Sequence, residues 1–255
     1  MKNFIEIKEL KKVFGTGSEE VHAFGPASIN IENGEFVSIL GPSGCGKSTL
    51  MLMVAGLMES TSGKVEFEGK LVKGPKTDIG IMFQDNTLVP WRTVKGNIEL
   101  QLDLRGLNIK EYQDQIYNIL KSCKLEDFAE RYPSELSGGM QQRAAFCQAM
   151  IHDPKIILLD EPLGKLDAMT REKIRADFQK LWMVKKPTVI FVTHSIEEAV
   201  QLSSRVILIS PRPGKIDREI KIDLPYPRDL NIKRSPKFVE YVNLIQEVFH
   251  KYGVI

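Results

Sequence analysis

FVSILGPSGCGKST runs from Phe36 to Thr49 and changes character midway. Phe36–Leu40 is short, rich in β-formers and almost wholly apolar, the pattern of a parallel strand covered on both faces. Gly41 to Ser48 then matches GxxxxGK[ST] in full. Its glycines let the backbone curl until successive N–H groups point at phosphate oxygens. A helix starting near Lys47 adds the positive end of its dipole. Lys47 is expected to reach β- and γ-phosphates, and Ser48 to place its hydroxyl on Mg²⁺. A strand before and a helix after distinguish a phosphate-binding loop from a structural glycine-rich turn. The candidate nucleotide-binding residues are Gly41, Pro42, Ser43, Gly44, Cys45, Gly46, Lys47, Ser48 and Thr49, with Cys45 contributing only its N–H.

Working outward, three more apolar runs repeat the strand half of this unit: Ile156–Leu159, Val189–Val192 and Val206–Ile209. Short runs alone do not exclude buried helices. Their flanks decide, because each ends in a polar turn: DEP, THS and SPRPG. The first run closes on Asp160-Glu161-Pro162, which sets carboxylates at the carboxyl edge of the sheet. Asp160 is the candidate Mg²⁺ ligand, usually through water. Glu161 is the candidate that polarises an attacking water.

Residues from Phe4 to about Phe36 alternate in short pieces. Lys64 to Val72 does the same, with Val65, Phe67 and Leu71 set against Glu66, Glu68 and Lys70. This period predicts antiparallel strands with one solvated face. Between Pro90 and Pro154 helical spacing takes over, which predicts an inserted helical subdomain over about 88–154. Within it lies Leu136-Ser-Gly-Gly-Met-Gln-Gln-Arg143, where Ser137, Gly138 and Gly139 at a helix N-terminus make a second anion site. One chain needs only one cradle for one nucleotide, so the second suggests a nucleotide held between two copies. From Pro236 onward Phe238, Tyr241, Val242, Ile245, Val248 and Phe249 share one helical stripe, read as a core-packing helix in a C-terminal extension over about 214–255. Residues 1–255 thus read as one domain. It is an α/β fold with a mostly parallel sheet, an N-terminal antiparallel β subdomain and an inserted helical subdomain.

Composition bounds this reading. With 255 residues, 42% of them hydrophobic and 27% charged, the chain is of ordinary globular type. A formal net charge of +2 makes no demand for nucleic acid or anionic lipid. Cys45, Cys123 and Cys147 are too few and too widely spaced for a disulfide framework or a zinc site. The apolar stretch Leu50 to Met58 is about half of the ~20 residues that span a bilayer. The first residues read as an alternating strand and not a signal peptide. Any work at a membrane would need another protein to hold the chain there.

The ordered motifs resemble those of ATP-binding-cassette (ABC) ATPases, over most of the chain from Phe4 to about Pro213. Leu136-Ser-Gly-Gly is similar to the ABC signature. The resemblance implies that Gln84 touches Mg²⁺ or its water and faces a membrane subunit. Asp167, after Leu166, matches the loop that crosses the dimer interface, and His194 the switch histidine at the γ-phosphate. Phe14 matches the aromatic that stacks on adenine, although an aromatic on such a strand is also a natural core residue. Lys165 departs from the pattern, which generally has a small residue there, and puts close packing of that loop in doubt. Asn86-Thr-Leu-Val-Pro90-Trp91-Arg-Thr-Val94 and Ser210-Pro-Arg-Pro-Gly214-Lys-Ile216 look like the nitrate/sulfonate/taurine importer group, and Leu224-Pro-Tyr-Pro-Arg-Asp-Leu230 agrees. Trp91 is either a docking contact or a helix-packing aromatic. The function implied is a Mg·ATP-hydrolysing homodimer at the cytoplasmic face of a membrane, powering a separate permease that a substrate-binding protein supplies. Two rivals are a soluble ABC protein of repair or translation and an ATP-binding regulator without turnover. The expected long coiled-coil insertions or second cassette are not visible, and Glu161 and His194 are both present.

Overall fold

The period-two segments near the start pair as expected, with β1 (Ile5–Phe14) antiparallel to β2 (Val21–Ile31). The computed structural model describes residues 4–164 and 166–253, apart from the side chain of Ser18. These residues fall into two compact units, one running to Lys76 and resuming at Lys186, the other spanning Thr77–Lys185.

In the first unit the chain continues through β3 (Phe36–Leu40) and α1 (Lys47–Val54) to β4 (Ser62–Phe67) and β5 (Lys70–Leu71). β4 pairs antiparallel with β1, and β5 with β4. Ile5, Ile7, Ile29, Ile31, Val65 and Phe67 point inward while the alternate residues of these strands are mostly solvated. That is the one-sided sheet that alternation predicts, except at Leu71, which lies opposite Glu66 in the short β5 and is exposed. β3 differs, being buried at all five positions.

The second unit opens with β6 (Ile79–Met82) and continues through α2 (Val94–Asp103), α3 (Gln113–Ser122) and α4 (Gly138–Met150). β7 (Ile156–Asp160) then lies parallel to β6, and α5 (Ala168–Lys185) comes next. Gly80 is required in β6, because a Cβ there would collide with the Ala149 carbonyl of α4. α5 buries Ile174, Phe178 and Trp182 at intervals of four, with Phe178 stacked on Phe146 of α4 at 4.3 Å.

Back in the first unit come β8 (Thr188–Thr193), α6 (Ile196–Leu202), β9 (Arg205–Ile209), β10 (Ile216–Lys221) and α7 (Pro236–Lys251). β3 pairs in parallel with both β8 and β9, while β10 adds antiparallel to β9. The fold is α/β with a mostly parallel sheet and a separate antiparallel one. α7 is the core-packing helix its stripe predicts. Phe238, Ile245, Val248 and Phe249 are buried, with Tyr241 and Val242 partly so.

One polar side chain fixes a stretch without regular structure. Asn97 in α2 is fully buried; its Oδ1 accepts from the Val89 N–H at 2.7 Å. Its Nδ2 donates to the carbonyls of Val89, Arg92 and Thr93 at 3.1, 3.0 and 2.9 Å. The Pro90-Trp91 turn is thereby held from within, and Trp91 stands 77% exposed upon it. Asn97→Ala should leave several buried backbone groups unpaired and lower stability by roughly 2–4 kcal/mol. Chemical denaturation of the two proteins measures that loss, and Trp91 fluorescence anisotropy should fall with it.

Candidate functional site

The phosphate loop begins where β3 stops. Gly44 and Gly46 carry φ of +77° and +96°, values that favour glycine. A Cβ on Gly46 would strike the Ala23 carbonyl and lie 3.0 Å from the Phe24 Cβ. One on Gly41 would lie 2.9 Å from both the Cys45 Sγ and the Ile209 carbonyl oxygen. Around Gly44 there is open space. Lys47 starts α1 and is buried, with its ammonium donating to the carbonyls of Gly41 and Pro42 at 2.9 Å each. Its charge is thus held at the loop. Cys45 is buried and its N–H donates to the Pro42 carbonyl at 3.4 Å. Ser43, Gly44 and Ser48 are exposed, and Pro42, Gly46 and Thr49 partly so. A glycine-opened turn leading into a helix start, with the N–H groups of the first turn lacking intrahelical partners, fits a polyphosphate.

Two other candidates lie in the same unit. His194 is exposed in the short step between β8 and α6. Phe14 ends β1 at 42% exposure, not in the core, with the Lys12 ammonium 5.2 Å from its ring centroid. The sequence marked Gly214 only through the resemblance of its turn to the importer group and gave it no part in the phosphate site. A Cβ on that residue would collide with the Cys45 carbonyl, and its own carbonyl accepts from the Gly25 N–H at 2.7 Å. The final glycine of the SPRPG turn therefore packs directly on the phosphate loop. No local signal pointed there, since the two segments are distant in sequence.

The second unit holds the acidic candidates. Asp160 is the last residue of β7 and is buried, whereas Glu161 has φ +43° and is half-buried. Gln84 Nε2 donates to Glu161 Oε2 at 3.4 Å. They meet because β6 and β7 are parallel neighbours, with Met82 opposite Leu159, so both strands deliver their next residues to one edge. Among the described residues no group of three or more His, Cys, Asp or Glu could hold a metal.

Ser137 is the N-cap of α4, its Oγ accepting from the Met140 N–H at 3.3 Å. Gly138 is exposed, while Gly139 is buried against α5, where a Cβ would come within 2.5 Å of the Thr170 Cγ2. Asp167 precedes α5 and its Oδ1 accepts from the N–H groups of Met169 and Thr170 at 3.1 and 3.0 Å. Hydrogen bonds from Thr170, then from Met169, hold its carboxyl below the usual range. Lys165 lies outside the described residues. A link that no motif announces joins these parts. Asn86 Nδ2 donates to Gln141 Oε1 at 2.8 Å, and Gln141 Nε2 to the Pro133 carbonyl at 2.8 Å. Two residues past Gln84, the chain is thus tied to the first turn of α4.

A glycine-opened phosphate loop on a mostly parallel sheet defines a P-loop nucleotide-binding protein. Residues 24–164 match the family described as ABC transporter. The chain is 44% identical over 241 residues to an uncharacterized ABC transporter ATP-binding protein of Methanocaldococcus jannaschii, covering 94% of this chain and 89% of that one. It is 39% identical to an aliphatic sulfonates import ATP-binding protein, SsuB, of Bacillus cereus, with 98% of each chain covered. It is 42% identical to a taurine import ATP-binding protein, TauB, of Jannaschia, covering 86% and 84% of the two chains. A solved ATP-binding cassette, dimeric in a post-hydrolysis state with ADP and Pi, superposes with a TM-score of 0.75 at 35% identity, covering 87% of this chain and 100% of that one. The chain belongs to the ABC transporter family, as an ATP-binding and ATP-hydrolysing cassette. No helix among its described residues is long and apolar enough to cross a membrane.

The two loop glycines separate strain from collision. Gly46→Ala should meet both, lowering stability by roughly 2–3 kcal/mol and weakening ATP binding. Gly44→Ala meets strain alone and should cost about 1 kcal/mol. Thermal unfolding and nucleotide titration of the two variants give the comparison.

Proposed function

We propose that this chain is the ATPase subunit of an importer, binding Mg·ATP between two copies and driving a separate permease. The observation that carries the reading is the presence in one chain of two glycine-bearing helix starts, Gly46-Lys47 at α1 and Ser137-Gly138 at α4. Each offers backbone N–H groups and a dipole end to an anion. The dimeric state of the solved relative supports a sandwich in which each nucleotide meets the phosphate loop of one copy and Ser137, Gly138 and Gly139 of the other.

In this reading Gly41 through Thr49 cradle the phosphates, Lys47 neutralises their charge, and Phe14 stacks on adenine. Ser48, Asp160 and Gln84 are the proposed Mg²⁺ ligands, direct or through water. All three offer oxygen, as a hard cation requires. Mg²⁺ would neutralise charge on the β- and γ-phosphate oxygens. Glu161 orients the attacking water, and the Gln84 amide on its carboxylate gives that side chain a defined direction. His194 contacts the γ-phosphate, and Asp167 lies at the interface between copies. Glu161→Gln should still bind ATP but not cleave it, so that size-exclusion chromatography with Mg·ATP shows an accumulating dimer. A monomeric variant with normal turnover overturns both the role of Glu161 and the sandwich.

The permease is proposed to dock on the inserted helical region, about 88–154, at the turn bearing Trp91. Sulfonate and taurine importers among the relatives support a small anionic cargo of the nitrate, sulfonate or taurine type, delivered by a substrate-binding protein. They also support a peripheral position at the cytoplasmic face of the membrane. Trp91 is an exposed aromatic on a rigid turn, of the kind whose truncation at an interface costs ~2 kcal/mol or more. Trp91→Ala should leave the isolated subunit folded and hydrolysing ATP, yet weaken permease association and abolish transport. Loss of fold or of basal activity would instead make Trp91 a structural residue.

A further inference from the structure

α6 is the helix that leaves His194, and with seven residues it is far below the ~12 at which a helix begins to sustain itself in water. Its start is tied to the residues on either side of the histidine. Thr193 Oγ1 donates to Glu198 Oε2 at 2.7 Å and accepts from the Ser195 N–H at 3.0 Å. Ser195 Oγ in turn accepts from the Glu198 N–H at 3.4 Å. Thr193 and Ser195 thus share one capping cluster with the first turn of α6. His194 stands exposed between them.

The far end of α6 is taken by the C-terminal extension. Arg228, only 1% exposed, donates through Nη1 to the carbonyls of Val200 at 2.8 Å and Ser203 at 2.7 Å. The Tyr226 hydroxyl donates to the Leu202 carbonyl at 2.8 Å. Val200 and Leu202 lie in the last turn and Ser203 is the C-cap, so the helix itself cannot satisfy these carbonyls, and a cation there also meets the negative end of the dipole. Through Nη2 the same guanidinium donates to Leu224 at 2.9 Å and Ile222 at 3.4 Å. It lies 4.0 Å over the Tyr226 ring. Near the start of the helix, Lys233 meets Glu197 at 2.9 Å. Phe238, Ile245, Val248 and Phe249 of α7 share a core with Ala199 and Val200.

We propose that this segment clamps α6 at both ends and so sets the position of His194, with Arg228 as the principal positioning residue. The proposal rests on His194 being the group that contacts the γ-phosphate. A buried guanidinium is a costly choice where packing alone is wanted, and an apolar side chain of similar volume often serves as well. Burial here depresses the pKa of Arg228. What the guanidinium supplies is a rigid fork of five donors that binds several carbonyls at once, which a lysine cannot reproduce. With its last-turn carbonyls fixed and its first turn joined to Thr193 and Ser195, α6 has little freedom to fray or rotate. The histidine ring inherits that order.

Four proteins test this: Arg228→Lys, Tyr226→Phe, His194→Ala and the double variant Arg228→Lys/His194→Ala. Arg228→Lys should lower kcat roughly ten- to a hundredfold, the scale of a misplaced reacting group. KM for ATP should stay within about twofold. Tyr226→Phe should act in the same direction, less strongly, and it decides the matter if Arg228→Lys does not fold. The His194 imidazole resonances should shift or broaden in both. On the His194→Ala background Arg228→Lys should have no further effect on residual hydrolysis, because a positioning residue has nothing left to position. An equal further drop there would mark a general structural role and overturn the proposal. So would folded variants with unchanged kcat and unchanged His194 resonances while His194→Ala is inactive. Normal turnover by His194→Ala would overturn the reading of His194 itself, and this proposal with it.

Discussion

The close approach of backbone to backbone at the phosphate loop is the constraint on which the nucleotide site depends. Carbonyls of Ala23, Ile209 and Cys45 come so near to Gly46, Gly41 and Gly214 that a methyl group at any of these positions would meet an oxygen. At these glycines the loop runs against neighbouring backbone, and its curl is what aims N–H groups at an anion. β3 supports it from behind, buried at all five positions and paired in parallel on both sides. A rigid strand feeding a confined loop gives preorganised donors, which need not be reordered when charge arrives.

A comparable economy of contacts governs the second unit. Parallel pairing of β6 with β7 brings Gln84 to Glu161, and Asn86 then ties the same segment to Gln141 at the start of α4. Asn97 holds the next stretch, through Trp91, by four hydrogen bonds to backbone. One continuous segment from Gln84 to Trp91 thus touches the acidic edge of β7, the signature helix and the exposed aromatic in turn. Gly139 extends it, since its missing side chain lets α4 lie against the first turn of α5, whose N–H groups Asp167 caps.

Strands were legible in the sequence because burial on one face or two leaves different signatures. Alternation marked β1, β2 and β4, while unbroken apolar runs marked β3, β7, β8 and β9. The helix α5 escaped because its core contacts, Ile174, Phe178 and Trp182, are sparse among charged residues. Their spacing of four was the signal that would have found it. β10 escaped because only Ile220 among its six residues is buried. An antiparallel edge strand needs little apolar content.

The sequence by itself determined the chemistry on offer: the glycine-rich loop with Lys47 and Ser48, the carboxylates closing β7, the Ser-Gly-Gly helix start and the histidine closing β8. Local spacing suffices for these because each motif is a strand or loop delivering a side chain to its own end. Only the tertiary structure decided which distant groups meet. Gly214 against Cys45, Asn86 against Gln141, and Arg228 buried on the carbonyls of α6 are contacts between segments far apart in the chain. Arginine is ordinarily a surface residue, and nothing in its neighbours announces burial. Its fate was set by last-turn carbonyls with no partner within their own helix, a demand that exists only once that helix has been packed.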